Sequence, residues 1–163
     1  MRQSLSKRPG DESVQKRRVR RLPTALIWGA IVTSGLVLAV TIIDQAGSRQ
    51  LYGFTEAAYA PHGLTPDPGL VYAILYAVAI TITLLWGFVF LLSRKRGWWA
   101  PVRSAVATFV TGVTAILLLT STEYGEQVFS PVWGLLVLTP TVLGIIATIL
   151  LVRDAPASKR TVS

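Results

Sequence analysis

The residues best suited to chemistry lie in two stretches that carry no basic cluster. The first holds Glu56, Tyr59, His62 and Asp67, with Asp44 just upstream. His62 is the only histidine, so a metal or proton site would have to be built from it and these carboxylates. A metal site normally declares itself by several ligands at fixed spacing, and one histidine among scattered carboxylates does not. A solvent-facing histidine in a loop is the simpler expectation. The second stretch holds Glu123 and Glu126, three residues apart. Paired carboxylates can do acid–base work when one is desolvated. Here a hydrated acidic rim, shared with the first stretch, is expected instead.

The remaining chemistry is excluded by type. There is no cysteine, so disulfides, thiolate nucleophiles and Cys-held metals are ruled out. No GxxxxGK[ST] phosphate loop is present. Neither a cofactor nor a catalytic residue is therefore expected, and no reaction is assigned.

The elements that must position these residues are membrane spans. Hydrophobic residues make up 52% of the chain and charged residues 15%, against roughly 25% in soluble domains. The charge is also segregated. Leu22–Ile43, Leu70–Leu92, Val102–Thr120 and Pro131–Val152 are long and apolar, and Arg103 alone interrupts them, at the very start of the third. Twenty-two residues of helix reach about 33 Å, enough for a hydrocarbon core of about 30 Å. In lipid the backbone must satisfy its own hydrogen bonds, so each run reads as helix despite many β-branched residues. The fold class is an all-α membrane protein, a bundle of four transmembrane helices. The first run is too long for a signal-peptide core of about 7–15 residues. It reads as a retained span.

Charge sets the expected orientation. The tail before Leu22 holds eight of the sixteen Lys and Arg residues, including Arg17, Arg18, Arg20 and Arg21. The stretch between the second and third spans holds Arg94, Lys95 and Arg96. The first loop, residues 44–69, has only Arg49, and the third, residues 121–130, has none. By the positive-inside rule both termini face the cytoplasm and the first and third loops face outward. Residues 1–21 are expected to form a basic disordered cytoplasmic tail, and residues 153–163 a cytoplasmic C-terminal tail. The basic residues are expected to touch anionic lipid headgroups. No aromatic is interleaved with them, so no nucleic-acid partner is expected.

Local signals refine the boundaries. Pro23, Pro68, Pro101 and Pro131 are read as first-turn prolines, and Asp67 and Ser130 as N-caps. Tyr72, Tyr124, Phe129 and Trp133 are expected in an outer aromatic belt, and Trp98 and Trp99 in an inner one. Gln50–Tyr59 has apolar spacing that suits a short helix on the membrane surface.

Helices in lipid associate through small residues and weak interhelical hydrogen bonds. The expected inward faces are Ala25, Gly29, Ala30 and Ser34; Ala73, Ala77 and Thr81; Ser104, Thr108, Thr111 and Ala115; and Gly134, Thr141, Gly144 and Thr148. Pro140, inside the fourth span, is expected to kink it. No acidic residue or histidine lies at mid-span depth, which argues against a proton relay or ion pump.

In size, span number and internal termini, Leu22–Val152 resembles small bacterial four-span membrane proteins, including the DoxX-like group. The resemblance is one of topology, matches no motif residue by residue, and implies a bacterial cytoplasmic membrane but no activity. Three roles follow, in order of preference. The first is a non-enzymatic membrane partner or accessory subunit, acting with another membrane protein or a second copy. The next is a carrier of a small apolar molecule such as a lipid or quinone, with a pocket lined by the second and fourth spans. The last is an enzyme using Glu56, His62, Asp67 and the third loop.

Because the chain lacks cysteine, single cysteines introduced at Ala57 and Ser158 test the orientation. An impermeant maleimide applied to intact cells should label the first and spare the second; the reverse pattern overturns it.

Overall fold

The computed structural model describes the backbone of residues 9–93 and 99–154, with side chains from residue 22 to 93 and from 99 to 153. Five helices dominate: α1 (Pro9–Ala46), α2 (Gln50–Tyr59), α3 (Pro68–Ser93), α4 (Trp99–Thr120) and α5 (Pro131–Asp154). A 3₁₀ turn (Ala60–His62) follows α2, and a two-stranded hairpin, β1 (Thr122–Glu123) and β2 (Glu126–Gln127), joins α4 to α5. Among the described residues, four stretches are long and apolar enough to cross a membrane: Leu22–Ala46, Pro68–Ser93, Trp99–Thr120 and Pro131–Arg153. They match the runs read from sequence to within three residues. The protein is an all-α, multi-pass membrane bundle.

The helix starts obey local chemistry. Asp67 stands immediately before α3, and its Oδ1 accepts the Gly69 N–H at 2.8 Å, as an N-cap should. Pro68 and Pro131 are the first residues of their helices, where a missing N–H leaves nothing unpaired. Pro101 falls in the first turn of α4. Pro23 does not follow this rule, because α1 begins at Pro9 and carries Pro23 in its interior. The backbone of residues 9–21 is accordingly helical, where a disordered tail was expected.

Burial along the spans follows alternating steps of three and four. In α1 the buried positions are Pro23, Ile27, Ala30, Ser34, Val37, Thr41 and Asp44. In α3 they include Tyr72, Leu75, Ala79, Ile82, Trp86 and Val89. In α5 Trp133, Val137, Pro140, Gly144 and Ala147 continue the pattern. Such spacing keeps one narrow seam inward, as in left-handed helical bundles. α5 is flanked by α1 and α4, α3 lies on the far side of α1, and α3 meets α4 less closely.

Small residues explain the tight α4–α5 pairing. A Cβ at Gly134 would stand 2.4 Å from Leu119 Cγ, and one at Gly112 would stand 3.2 Å from Thr141 Cγ2. The seams expected on α4 and α5 do face inward, with Ser104, Thr111, Ala115, Gly134, Thr141 and Gly144 buried. The one expected on α3 does not. Ala73, Ala77 and Thr81 are exposed, and the inward face of α3 carries the large side chains of Tyr72, Leu75, Ile82 and Trp86 instead. On α1, Ala25 is also exposed, whereas Ala30 and Ser34 are buried. The small-residue rule fails on α3 because its Trp86 supplies the bulk that glycines elsewhere receive. Trp86 is fully buried and reaches across the bundle to Gly144 of α5.

Hydroxyls in the spans largely satisfy themselves. Ser34, Thr41, Thr83 and Thr111 each donate to the carbonyl four residues earlier, at 2.7–2.8 Å. Between helices, Ser104 and Thr148 are linked at 2.8 Å, joining α4 to α5. Trp86 Nε1 is buried without a hydrogen-bond partner among the described residues, so packing against glycine outweighs a loss of about 1–3 kcal/mol for one orphaned donor.

Gly144→Ala tests that contact. A Cβ there would lie 2.5 Å from both Trp86 Cη2 and Thr108 Oγ1. Overpacking of this kind typically costs about 1–3 kcal/mol, read as a lower unfolding temperature in mild detergent. Gly87→Ala, with no atom within 4 Å of its Cβ, should be close to neutral. Equal stabilities for the two variants would refute the cross-bundle packing.

Candidate functional site

The candidate site is the end of the bundle where α2 and the hairpin lie. It is built around Asp44, in the last turns of α1. A carboxylate at the end of an apolar span must find donors, and Asp44 finds four. Oδ1 accepts the Ser48 hydroxyl at 2.8 Å and the Gln50 N–H at 2.9 Å. Oδ2 accepts the Leu51 N–H at 3.0 Å and the Tyr72 hydroxyl at 2.9 Å. Two carboxylate oxygens offer about four acceptor sites, and all are filled. Two backbone N–H groups and two hydroxyls on four acceptor sites are an arrangement that favours the ionised form.

This arrangement makes α2 what it is. The residue before α2, Arg49, is left-handed at φ 49° and gives no side-chain cap. Asp44 serves instead, binding the first two N–H groups of α2 from the neighbouring helix. Negative charge at a helix N-terminus also suits the helix dipole. Leu51 and Thr55 form the buried face of α2. The short helix expected over Gln50–Tyr59 is present, and its Phe54 is exposed.

The other end of α2 is tied to the hairpin. The Thr55 hydroxyl lies 2.9 Å from the Val128 carbonyl and 3.1 Å from that of Leu51. The Tyr59 hydroxyl donates to Glu123, and this bond is the main reason its phenol is pushed up to about 12. His62 stacks on Tyr124 with ring centroids 4.5 Å apart, and Tyr59 meets the same ring edge-on at 6.0 Å. The hairpin presents Tyr124 through a two-residue turn. Both Tyr124 (φ 55°) and Gly125 (φ 88°) are left-handed, as type I′ hairpins require.

The sequence candidates thus meet different fates. Tyr59 and His62 join the hairpin. Glu56 faces solvent, its carboxylate 3.5 Å from the Tyr52 hydroxyl of its own helix. Asp67 caps α3. Glu56, His62 and Asp67 have separate partners, and among the described residues no group of three His, Asp or Glu side chains is placed to hold a metal. Arg94, Lys95 and Arg96 lie outside the described residues, as does Trp98, and the side chains of Arg17, Arg18, Arg20 and Arg21 are likewise not described.

The aromatic belt expected at this end is mostly an internal cluster. Tyr72, Phe129 and Trp133 are buried at 2%, 7% and 5% exposure, and only Tyr124 is exposed. Tyr72 points inward because Asp44 needs its hydroxyl.

A groove of about 370 Å³ opens between α1 and α5 beneath α2. Val40 and Ile43 of α1, Val132, Trp133 and Leu136 of α5, and Phe54 of α2 form its apolar walls. Asp44, Ser48, Gln50 and Ser130 line it with polar groups. It lies beside the first and fourth spans, where the second and fourth were expected. α3 takes no part because Tyr72 and Leu75 fill the space between it and α1. Pro140 opens no comparable space. It is fully buried inside a continuous α5, and the gap it shares with Ser34, Val37, Ala79, Ile82 and Val137 is too small for a water molecule.

No family model, curated protein or solved structure matches the chain. The resemblance to DoxX-like proteins therefore extends to four spans and no further.

Asp44→Ala tests the hub. It orphans the N–H groups of Gln50 and Leu51 and the Tyr72 hydroxyl, a loss of about 3 kcal/mol. Amide exchange at residues 50–52 should rise strongly and the unfolding temperature should fall. Tyr72→Phe, which removes one donor, should cost about 1 kcal/mol. Unchanged exchange at Leu51 in the alanine variant would show that Asp44 does not hold α2.

Proposed function

We propose that this membrane protein is non-catalytic and holds one amphiphilic molecule, of the lipid or quinone class, in the groove between α1 and α5. With both termini cytoplasmic, as the charge distribution favours, the groove opens toward the outer leaflet. The observation that carries the reading is the shape and lining of the groove. Ligand sites combine an apolar body with a few polar groups that fix orientation. Here the apolar walls continue into the exposed faces of Ile43 and Val132, so a tail can enter sideways from lipid. The polar groups gather beneath α2, where a head group would sit.

The separate partners of Glu56, His62 and Asp67 give an enzyme built from them no support, since groups that act together must share hydrogen-bond reach. A partner or accessory subunit draws support from the outward row Ala73, Ala77 and Thr81, a surface that admits a neighbouring helix closely. That row gives no ligand geometry, and the groove does.

Native mass spectrometry of the protein released from mild detergent should show one retained amphiphile per chain. Val132→Trp fills the groove from an exposed position. It should abolish retention while leaving the unfolding temperature unchanged. Equal retention by the variant and the parent would overturn the reading.

A further inference from the structure

Resting on that groove reading, we infer that the head group it selects is a cation bearing an N–H: an ammonium carried on an apolar tail. The argument starts from the charge balance of the groove. Asp44 is 6% exposed and lines the cavity, and its four hydrogen-bond partners are all neutral groups. Among the described residues, no Lys or Arg lines the groove. Arg49 lies five residues along the chain, but it is exposed, outside the lining, and bound to Asp44 through its backbone N–H at the Asp44 carbonyl. One negative charge therefore stands at the polar end of an apolar slot without a counter-ion in it.

Neutral donors make such a charge tolerable. They do not neutralise its field, which is stronger next to apolar walls than in water. An anionic head group would be repelled. A neutral one gains hydrogen bonds only. An ammonium gains the Coulomb attraction as well, and its tail still occupies the apolar walls.

The hydrogen-bond set also shows where the ammonium would engage. The Gln50 and Leu51 N–H groups are fixed in the first turn of α2, and Tyr72 is held in the core. Ser48 is different: its side chain is exposed, lines the groove and donates to Oδ1. It is the one donor that a ligand N–H can replace without disturbing α2. A quaternary ammonium has no such N–H and would gain the field alone, so a primary amine should bind more tightly than its trimethylated form.

The test compares dodecylamine, trimethyldodecylammonium and dodecanol, which share one tail. Each is titrated against the full chain in a neutral maltoside detergent at pH 7, with binding read by native mass spectrometry. Dodecylamine should bind about tenfold more tightly than dodecanol, the order left when the Coulomb gain is set against desolvation of the ammonium, with the trimethylated form between them. Gln50 is exposed at the rim, so its charge can be changed without touching the core. Gln50→Lys should erase most of the preference, and Gln50→Glu should enlarge it. Neither should change dodecanol binding. Asp44→Asn should also remove the preference, but the Gln50 pair keeps the test valid if that variant does not fold. Equal binding of amine and alcohol, indifferent to Gln50 charge, overturns the cation inference and leaves the groove standing. Binding of none of the three overturns the groove itself, and tighter binding of the trimethylated form overturns the role of Ser48.

Discussion

One carboxylate holds the α2 end of this bundle together. Asp44 receives donors from the turn after α1, from the start of α2 and from Tyr72 of α3. The constraint behind it is general. Near lipid there is little water to satisfy a polar group, so each must find its partner within the protein. Asp44 turns that constraint into architecture. Its need for donors bends the chain back after α1, starts α2 where Arg49 supplies no cap, and pulls Tyr72 into the interior. The groove depends on the same bend, since Gln50 and Phe54 of α2 line it only because the first turn of α2 is fixed there.

The spans themselves rest on a different balance. α4 and α5 approach closely through Gly112, Gly134 and Gly144, with the Ser104–Thr148 link beside them. α3 contributes bulk in place of small residues, and Trp86 fills the middle of the bundle at the expense of its indole N–H. The two strategies are complementary, because a large side chain on one helix requires a missing one on the helix it meets. Arg103 completes the other end by donating to the Leu92 carbonyl at 3.2 Å, where α3 runs out of intrahelical partners.

Much of this was legible in the sequence because the dominant force acts on long averages. Four apolar runs give four spans, and Asp67 before Pro68 gives a helix start to the residue. Positions decided by single partners were harder. Asp44 reads as one more loop acid until it is asked where a carboxylate at a span end finds donors. Tyr72 and Trp133 read as belt residues, because an aromatic near a span end has the same signature whether it faces lipid or the core. Ala73, Ala77 and Thr81 satisfy the small-residue pattern yet face outward, since the pattern records what permits close approach and not which helix comes near. The hairpin carries a short signal of its own: Tyr124-Gly125 between two polar pairs, with glycine where a left-handed turn needs it.

The placement of α2 has a mechanical consequence. One end of this short helix is fastened to α1 and α3 through Asp44, and the other to the α4–α5 connection through Thr55 and Tyr59. It works as a crossbar, stapling both halves of the bundle at a single height. Helices clamped at one end can swing apart only at the other, as the arms of tongs do. The crossbar therefore restrains the spans most directly at its own level, which is the level of the groove.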